Sequence, residues 1–506
     1  MGISQLSNRQ LVGQMLCFAF LGTDYDTQLK AFVEEMELGG VIYFARNIKN
    51  VNQVFHLNKR LQQTSKIPLF IGLDQEGGMV QRITEGITPL PGAMTLAATD
   101  QKQIEAITKV VGQNLKSLGF NLNFAPVGDI NNNQNNPVIN SRSYGDDPVK
   151  VATMATKAYK GFQSSGIIPT IKHFPGHGNT SVDSHIGLPR VFSSQAEVWK
   201  TELVPFKKAI DQGIDGVMIS HIIFEAFDQI YPASLSKAII TDLLKNQLKF
   251  NGLIVTDSLT MGAIHNSFDL DTVLINGVNA GNDLLIFCGK ADLEEQKMIF
   301  NRFVELLDLG KISQDRVQES VAKMLKLKEK YAHPLFDLND MKPDGLLSDQ
   351  LYEQAVTKVY NQGWLPLKPN EDVLILFPEI KLASLVDNEH QTYVSLKTYF
   401  DKPEITYNFT LSNQSLIEEQ VKKYSKIIMC TYNVANDDFQ TKLWASLPKM
   451  KTLVIAMRSP YDVIHLHNVK HYVCLYELTP KSLWACAKAL RGEIPFNTTV
   501  PVKLKR

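Results

Sequence analysis

Five cysteines in a chain of 506 residues are too few, and odd in number, to build a disulfide framework. Cys17, Cys288, Cys430, Cys474 and Cys486 lie mostly within apolar runs, which reads as buried reduced thiols in a reducing compartment. Excess charge is missing too. The 52 basic residues balance 52 acidic ones, so bulk charge attracts neither nucleic acid nor a membrane surface. The apolar residues 15–21 are too short to span a bilayer, and no basic segment precedes them as in a signal peptide. Gly2 stands where some proteins are acylated, but Leu6 occupies the position that needs Ser or Thr. The expected setting is cytoplasmic, with no membrane and no nucleic-acid partner. Repeats and low-complexity tracts are absent. So are the G-x-x-x-x-G-K-[ST] loop and a G-x-G-x-x-G opening a helix, which argues against an ATP or NAD site.

What is present is ordinary in bulk, 44% hydrophobic and 21% charged, and long enough for two or three domains. Short β-rich runs occur at 14–21, 39–44, 68–75, 121–127, 169–174, 216–221, 252–258 and 282–287. Residues 103–118, 149–165, 195–212 and 237–248, between them, carry helical patterning. Several short runs are almost continuously apolar, as parallel strands covered on both faces should be. Eight strands alternating with helices predict an α/β fold, a (β/α)8 TIM-like barrel, with a doubly wound sheet as the main alternative. After a helix over 317–331, the Pro, Asp and Gly content of 333–345 marks a linker. Strands at 372–377, 426–431, 452–457 and 472–476 then alternate with helical segments. The chain therefore reads as a barrel domain over 1–332, a linker over 333–348 and a smaller α/β sandwich domain over 349–506.

The third to seventh strands all end in polar residues. Asp74-Gln75-Glu76-Gly77-Gly78 follows the third, residues 129–136 and Arg142-Ser143-Tyr144-Gly145 the fourth. Ser220-His221 closes the sixth and Thr256-Asp257-Ser258 the seventh. The fifth leads into residues 172–185, which hold Lys172, His173, His177, Asp183 and His185. In a barrel these ends converge on one mouth. His173 and His177 have the i, i+4 spacing of helical zinc ligands. Pro175, Gly176 and Gly178 break the helix that spacing requires, so no metal is expected. Acid–base chemistry fits better. Asp183 and His185 lie two apart, so an extended or turn segment brings both to one side, where a carboxylate fixes the imidazole tautomer. Asp257 closes an apolar strand, where it either pairs with a buried cation or serves as a nucleophile. A carboxylate with a separate proton donor is the minimal equipment of a retaining glycosidase.

Residues 172–185 resemble the Lys-His-Phe-Pro-Gly-His-Gly-(Asp/Asn)-Thr-x-x-Asp-Ser-His loop of glycoside hydrolase family 3, in its β-N-acetylglucosaminidase branch. The likeness extends over residues 39–47, 74–78, 123–127 and 255–259, and more loosely over 458–462 and 490–496. The resemblance implies that Asp257 is the nucleophile, His185 the general acid/base and Asp183 its dyad partner. It implies that Asp74, Arg82, Arg142, Lys172 and His173 bind sugar in the −1 subsite, with Asp129 and His221 in support. The implied reaction removes terminal non-reducing N-acetylglucosamine from a small carbohydrate or muropeptide in cell-wall turnover, through a glycosyl-enzyme and with no cofactor. Met79 departs from the family pattern, which usually has Arg there, and Asn179 replaces the commoner Asp. For the second domain the resemblance leaves oligomerisation, stability or substrate reach, and oligomeric state is open. Two other readings stand beside hydrolysis. One is a glycoside phosphorylase, since a histidine acid/base does not repel phosphate as a carboxylate would. The other is a sugar-binding protein without activity, against which intact Asp183, His185 and Asp257 argue.

Overall fold

The computed structural model describes residues 3–181, 184, 187–289, 292–332, 336–368, 370–380, 394–407, 411–436 and 438–504. Eight parallel strands close into a barrel. They are β1 (Leu16–Ala19), β2 (Gly40–Tyr43), β3 (Phe70–Leu73), β4 (Leu122–Asn123), β5 (Ile168–Phe174), β6 (Gly216–Ile219), β7 (Leu253–Ser258) and β8 (Leu284–Phe287). Each pairs with its neighbours in sequence, and β1 closes the ring against β8 with Leu16 opposite Leu285. Nearly every strand residue is buried, because helices cover the outside and side chains fill the inside. This two-sided burial explains the continuous apolar runs.

Two helical segments differ from the pattern in the sequence. Residues 195–212 form two helices, Gln195–Lys200 and Leu203–Asp211, broken at Thr201 with φ −124° and ψ −88°. Pro205 lacks the N–H that would reach back to the Thr201 carbonyl, so it is tolerated only in the first turn of a new helix. Residues Ala238–Gln247 wind more widely, as a π-helix that ends with Leu248 N–H bonded to the Leu243 carbonyl.

A second sheet has six strands: β9 (Thr357–Tyr360), β10 (Val373–Pro378), β11 (Glu404–Tyr407), β12 (Lys426–Thr431), β13 (Thr452–Ala456) and β14 (Tyr472–Cys474). Their order is β9-β14-β13-β12-β10-β11, with only β9 antiparallel to its neighbour. Alternate residues enter different apolar clusters. Ile375, Ile428, Ile455 and Val473 join one, and Leu376, Met429, Val454 and Tyr472 the other. Both faces are therefore covered, which makes this unit an α/β sandwich. The two strands absent from the sequence reading, β9 and β11, are the edges. Both are largely half-exposed, so neither shows the apolar run that marks a central strand. The helix Gly345–Ala355 begins inside the stretch read as a linker, where the Asp344 carboxylate accepts the Leu347 N–H at 2.9 Å. Among the described residues no helix is long and apolar enough to cross a membrane. All five cysteines are free, four of them buried and Cys288 half-buried.

Candidate active site

Two β-bulges shape the C-terminal mouth of the barrel. Between β5 and β6, Ile171 faces Val217 and Phe174 faces Ile219, so three steps on one strand match two on the other. Lys172 and His173 occupy the extra space. Between β7 and β8, Val255 faces Leu284 and Ser258 faces Ile286, and there Thr256 and Asp257 fall in the gap. Thr256 Oγ1 accepts the Ile286 N–H at 3.0 Å, so a side chain stands in for a ladder carbonyl. A bulge interrupts in–out alternation and re-aims side chains, which is why Lys172 and His173, though adjacent, both serve the mouth, and why Asp257 reaches it while Thr256 serves the ladder.

Lys172 is the hub of an alternating charge network. Its ammonium donates to Asp74 at 2.7 Å and lies 2.6 Å from Glu76 Oε1. Asp74 also accepts from Arg82 Nη2 at 3.1 Å, and Glu76 accepts from Arg142 Nε and Nη2 at 2.9 and 2.7 Å. Burial alone would raise the Asp74 and Glu76 carboxyls. Their cationic neighbours more than offset it and hold both well below the usual carboxylate range. Burial acts against the charge of Lys172 and Arg142 too, but the facing carboxylates raise both above their ordinary values. All four groups are charged at neutral pH. Phe44, just beyond β2, is flanked by the guanidiniums of Arg46 at 4.5 Å and Arg82 at 5.3 Å from its ring centre.

The network continues through His173 to Asp129. Asp129 is fully buried and accepts three bonds, from His173 Nδ1 at 2.6 Å, His173 N at 3.1 Å and His177 N at 2.7 Å. A carboxylate can only accept, so His173 carries its proton on Nδ1 and turns Nε2 toward Arg142 Nη2 at 3.5 Å. The next histidine does a different job. His177 is buried, and burial, then His173, pushes its pKa down to about 4, so it is neutral. The Thr180 hydroxyl donates to the His177 carbonyl, so His177 Nδ1–H donates to Thr180 Oγ1 at 2.9 Å. Its Nε2 then accepts from Ser184 Oγ at 3.1 Å. Ser184 is also held by its carbonyl, which accepts the Ala263 N–H at 3.1 Å from the segment after β7.

Asp257 is half-buried, and its Oδ1 accepts the Ser258 N–H at 2.8 Å. The next residue is propped by His221, whose Nε2–H donates to the Ser258 carbonyl at 2.8 Å and whose Nδ1 pairs with Ser234 Oγ at 2.7 Å. Nearby, burial pushes the Cys288 thiol up to about 12, opposed by its bond to Ser258 and supported by the charge of Asp257. It stays protonated and is no nucleophile.

Of the residues singled out in the sequence, Asp74, Arg82, Arg142, Lys172, His173 and Asp129 are thus one connected cluster. His221 braces the end of β7 instead. Asp183 and His185 lie outside the described residues. Glu76 belongs to the site without being among the residues that the sequence singles out, although it sits two residues from Asp74 on an extended segment, a spacing that puts both side chains on one face. Asn136, in the polar stretch after β4, is a second such residue. Its amide donates to the carbonyls of His177 and Gly178 at 2.9 and 3.1 Å, tying the loops after β4 and β5 together. Met79, the departure from the family pattern, is buried in an apolar cluster of the second sheet.

Residues 7–327 match the model of the glycosyl hydrolase family 3 N-terminal domain. Beta-hexosaminidase A of Pseudoalteromonas piscicida is 34% identical over 404 residues, 73% of this chain and 68% of that protein. A beta-hexosaminidase of Nitrosomonas eutropha is 32% identical over 300 residues, 58% of this chain and 86% of its own length. Among solved structures, a glycoside hydrolase family 3 beta-N-acetylglucosaminidase from Paenibacillus sp. str. FPU-7 is 33% identical. It superposes with a TM-score of 0.91 over 99% of both chains.

Proposed function

The chain belongs to glycosyl hydrolase family 3, and from that premise we propose that it is a retaining exo-β-N-acetylglucosaminidase. Asp257 attacks the anomeric carbon while His185, partnered by Asp183, protonates the departing oxygen. The same histidine then takes a proton from water, which hydrolyses the glycosyl-enzyme and returns Asp257 as a carboxylate. Asp74, Arg82, Arg142, Lys172 and His173 bind the sugar, and Asp74, kept ionised by Lys172 and Arg82, and Glu76, kept ionised by Arg142 and Lys172, accept from its hydroxyls. The observation that carries this reading is the pair of bulges on one rim, β5 presenting Lys172 and His173 and β7 presenting Asp257. An extended ladder would turn either Lys172 or His173 away.

We assign catalysis to a unit over residues 1–332, joined through 333–348 to a second over 349–506. The natural substrate in this reading is a muropeptide of cell-wall turnover, supported by likeness to the β-N-acetylglucosaminidase branch. A cytoplasmic setting is supported by the five free thiols. The test is a panel of aryl β-glycosides plus a muropeptide, assayed with and without inorganic phosphate. The N-acetyl-β-glucosaminide is expected to exceed the β-glucoside by at least about a hundred-fold in kcat/KM, with free N-acetylglucosamine released at a rate independent of phosphate. Turnover that requires phosphate and yields a sugar 1-phosphate would make the chain a phosphorylase, and no turnover of any glycoside would leave only sugar binding.

A further inference from the structure

The stretch between β3 and the helix Gln103–Ser117 sends Asp74, Glu76 and Arg82 toward the mouth and gives its other side to the second domain. Residues Gln75–Gly77 and Val80–Gln81 pair as a small ribbon, and Met79 at its tip is buried among the side chains on one face of the second sheet. Met94 enters the cluster on the other face. Between them comes Glu477, just beyond β14. It is 1% exposed and both carboxylate oxygens are engaged. One accepts from Gly92 N–H and Thr95 Oγ1, each at 2.6 Å, and the other from Tyr352 Oη at 2.9 Å and Thr479 Oγ1 at 3.0 Å. A Cβ on Gly78 or Gly92 would lie 3.0 or 2.9 Å from Glu477 Oε2, so the missing side chains make the space in which this carboxylate sits. Tyr476, immediately before it, is buried and held at φ +68°, a region that bulky residues rarely adopt. Strain of that kind persists only where the surroundings enforce it.

The clasp is a short step from the sugar-facing charges. Gly78 is two residues from Glu76, and the ribbon between them is tied at each turn. Gly78 N–H donates to the Leu90 carbonyl, Gln81 Nε2 to the Gly78 carbonyl and Gln75 Nε2 to the Ile83 carbonyl, all at 2.9 Å. The tip therefore cannot move without carrying Glu76. The loop after β4 that carries Arg142, the partner of Glu76, is gripped from the same side. Asn140 Nδ2 donates to Ser459 Oγ at 3.2 Å and Asn131 Nδ2 to Tyr461 Oη at 3.1 Å, both acceptors belonging to the second domain.

We propose that Glu477 is a positioning residue for the sugar subsite: docked against Gly78 and Gly92, it sets where Glu76 stands relative to Arg142 and Lys172. The second domain is then a working part of the site, although no residue of it need touch sugar. This rests on the reading of Glu76 and its partners as sugar-binding.

In the full chain, Glu477→Ala is expected to lower kcat/KM for an aryl N-acetyl-β-glucosaminide by about ten- to a hundred-fold, mostly through KM, in protein that circular dichroism shows to be folded at the assay temperature. Glu477→Gln should recover most of that loss. Its amide oxygen can take the Gly92 N–H, and its NH2 can donate to the Tyr352 and Thr479 hydroxyl oxygens. A merely structural role would not pass the next measurement, a double-mutant cycle with Glu76→Gln. If Glu477 acts through Glu76, the two losses fall well short of additive. If Glu76→Gln alone leaves kcat/KM unchanged, the sugar-binding reading fails. If Glu76→Gln lowers it while folded Glu477→Ala stays within about two-fold of wild type, or the losses add, the positioning role fails. Should Glu477→Ala not fold, Gly92→Ala carries the same cycle. Its φ of −63° suits alanine, its Cβ would press on Glu477 Oε2, and a rise in KM of about ten-fold is expected.

Discussion

Asp257→Ala is expected to lower kcat on an aryl N-acetyl-β-glucosaminide by about 10⁵-fold, or ~7 kcal/mol of transition-state stabilisation. The size follows from the role. A nucleophile replaces one difficult displacement by two easier ones, and without it the remaining groups can only bind and polarise. The fold should be indifferent to the change. Asp257 is half-buried, the ladder at that point is carried by Thr256 Oγ1, and His221 holds the Ser258 carbonyl, so the bulge keeps its supports. Far-ultraviolet circular dichroism and the unfolding midpoint are therefore expected to match wild type. Formate or azide should restore part of the activity, because a small anion fits the space vacated by the carboxylate and attacks the same carbon. Loss of less than about ten-fold in kcat would remove Asp257 as nucleophile.

Lys172→Met should damage both stability and activity. The ammonium is buried between Asp74 and Glu76, and replacing it leaves two carboxylates facing each other with one guanidinium apiece. Breaking a buried ion pair from one side typically costs about 3–5 kcal/mol, because the remaining charge stays desolvated. A loss of stability in that range is expected, together with a fall in kcat/KM of roughly a thousand-fold as Glu76 and Arg142 lose their register. The pH dependence gives the sign. Both carboxyls are held below their unfolded values in the folded protein, so the unfolded chain takes up protons first on acidification. Their stabilising contribution is complete above about pH 4.5 and is lost as pH falls through the folded values. The stability gap between wild type and Lys172→Met, followed by urea unfolding at several pH values, should therefore be widest at neutral pH and shrink below about pH 4. A gap that stays constant with pH would mean that Lys172 does not hold these carboxyls ionised.

The barrel could be read from the sequence because its strands are buried on both faces and several announce themselves as apolar runs. The edge strands β9 and β11 could not, since a half-exposed edge has no such signature. Residues that end strands were also legible. Lys172, His173, Asp74 and Asp257 all lie where the sequence placed them, at one mouth. How consecutive residues share that mouth was not legible, because a bulge is a property of two paired strands and no single strand records it. Glu76 shows the same limit at longer range. Its charge is settled by Arg142, 66 residues away, a pairing that no local pattern reports. Of the proposed acid/base pair, Asp183 and His185, only the residue between them is described. Ser184 is held by the neutral His177 ring and by Ala263, which fastens the loop after β5 to the segment after β7. The i, i+4 histidine spacing that suggested a zinc site instead separates a histidine in the charge network from one that clips the loop. The glycine pair at 77–78 is a weak motif by itself. The two have different reasons: a Cβ on Gly77 would run into the Pro91 carbonyl, while Glu477, just beyond β14, fills the space left by Gly78 and Gly92.

The most direct measurement is mass spectrometry of the enzyme quenched during turnover of a ring-fluorinated N-acetyl-β-glucosaminyl fluoride, which forms a glycosyl-enzyme quickly and hydrolyses it slowly. One fluorinated sugar on the peptide containing residues 253–261, attached through Asp257, is the predicted result. Turnover with no covalent sugar at any time, or a sugar attached to a different residue, would contradict double displacement at Asp257.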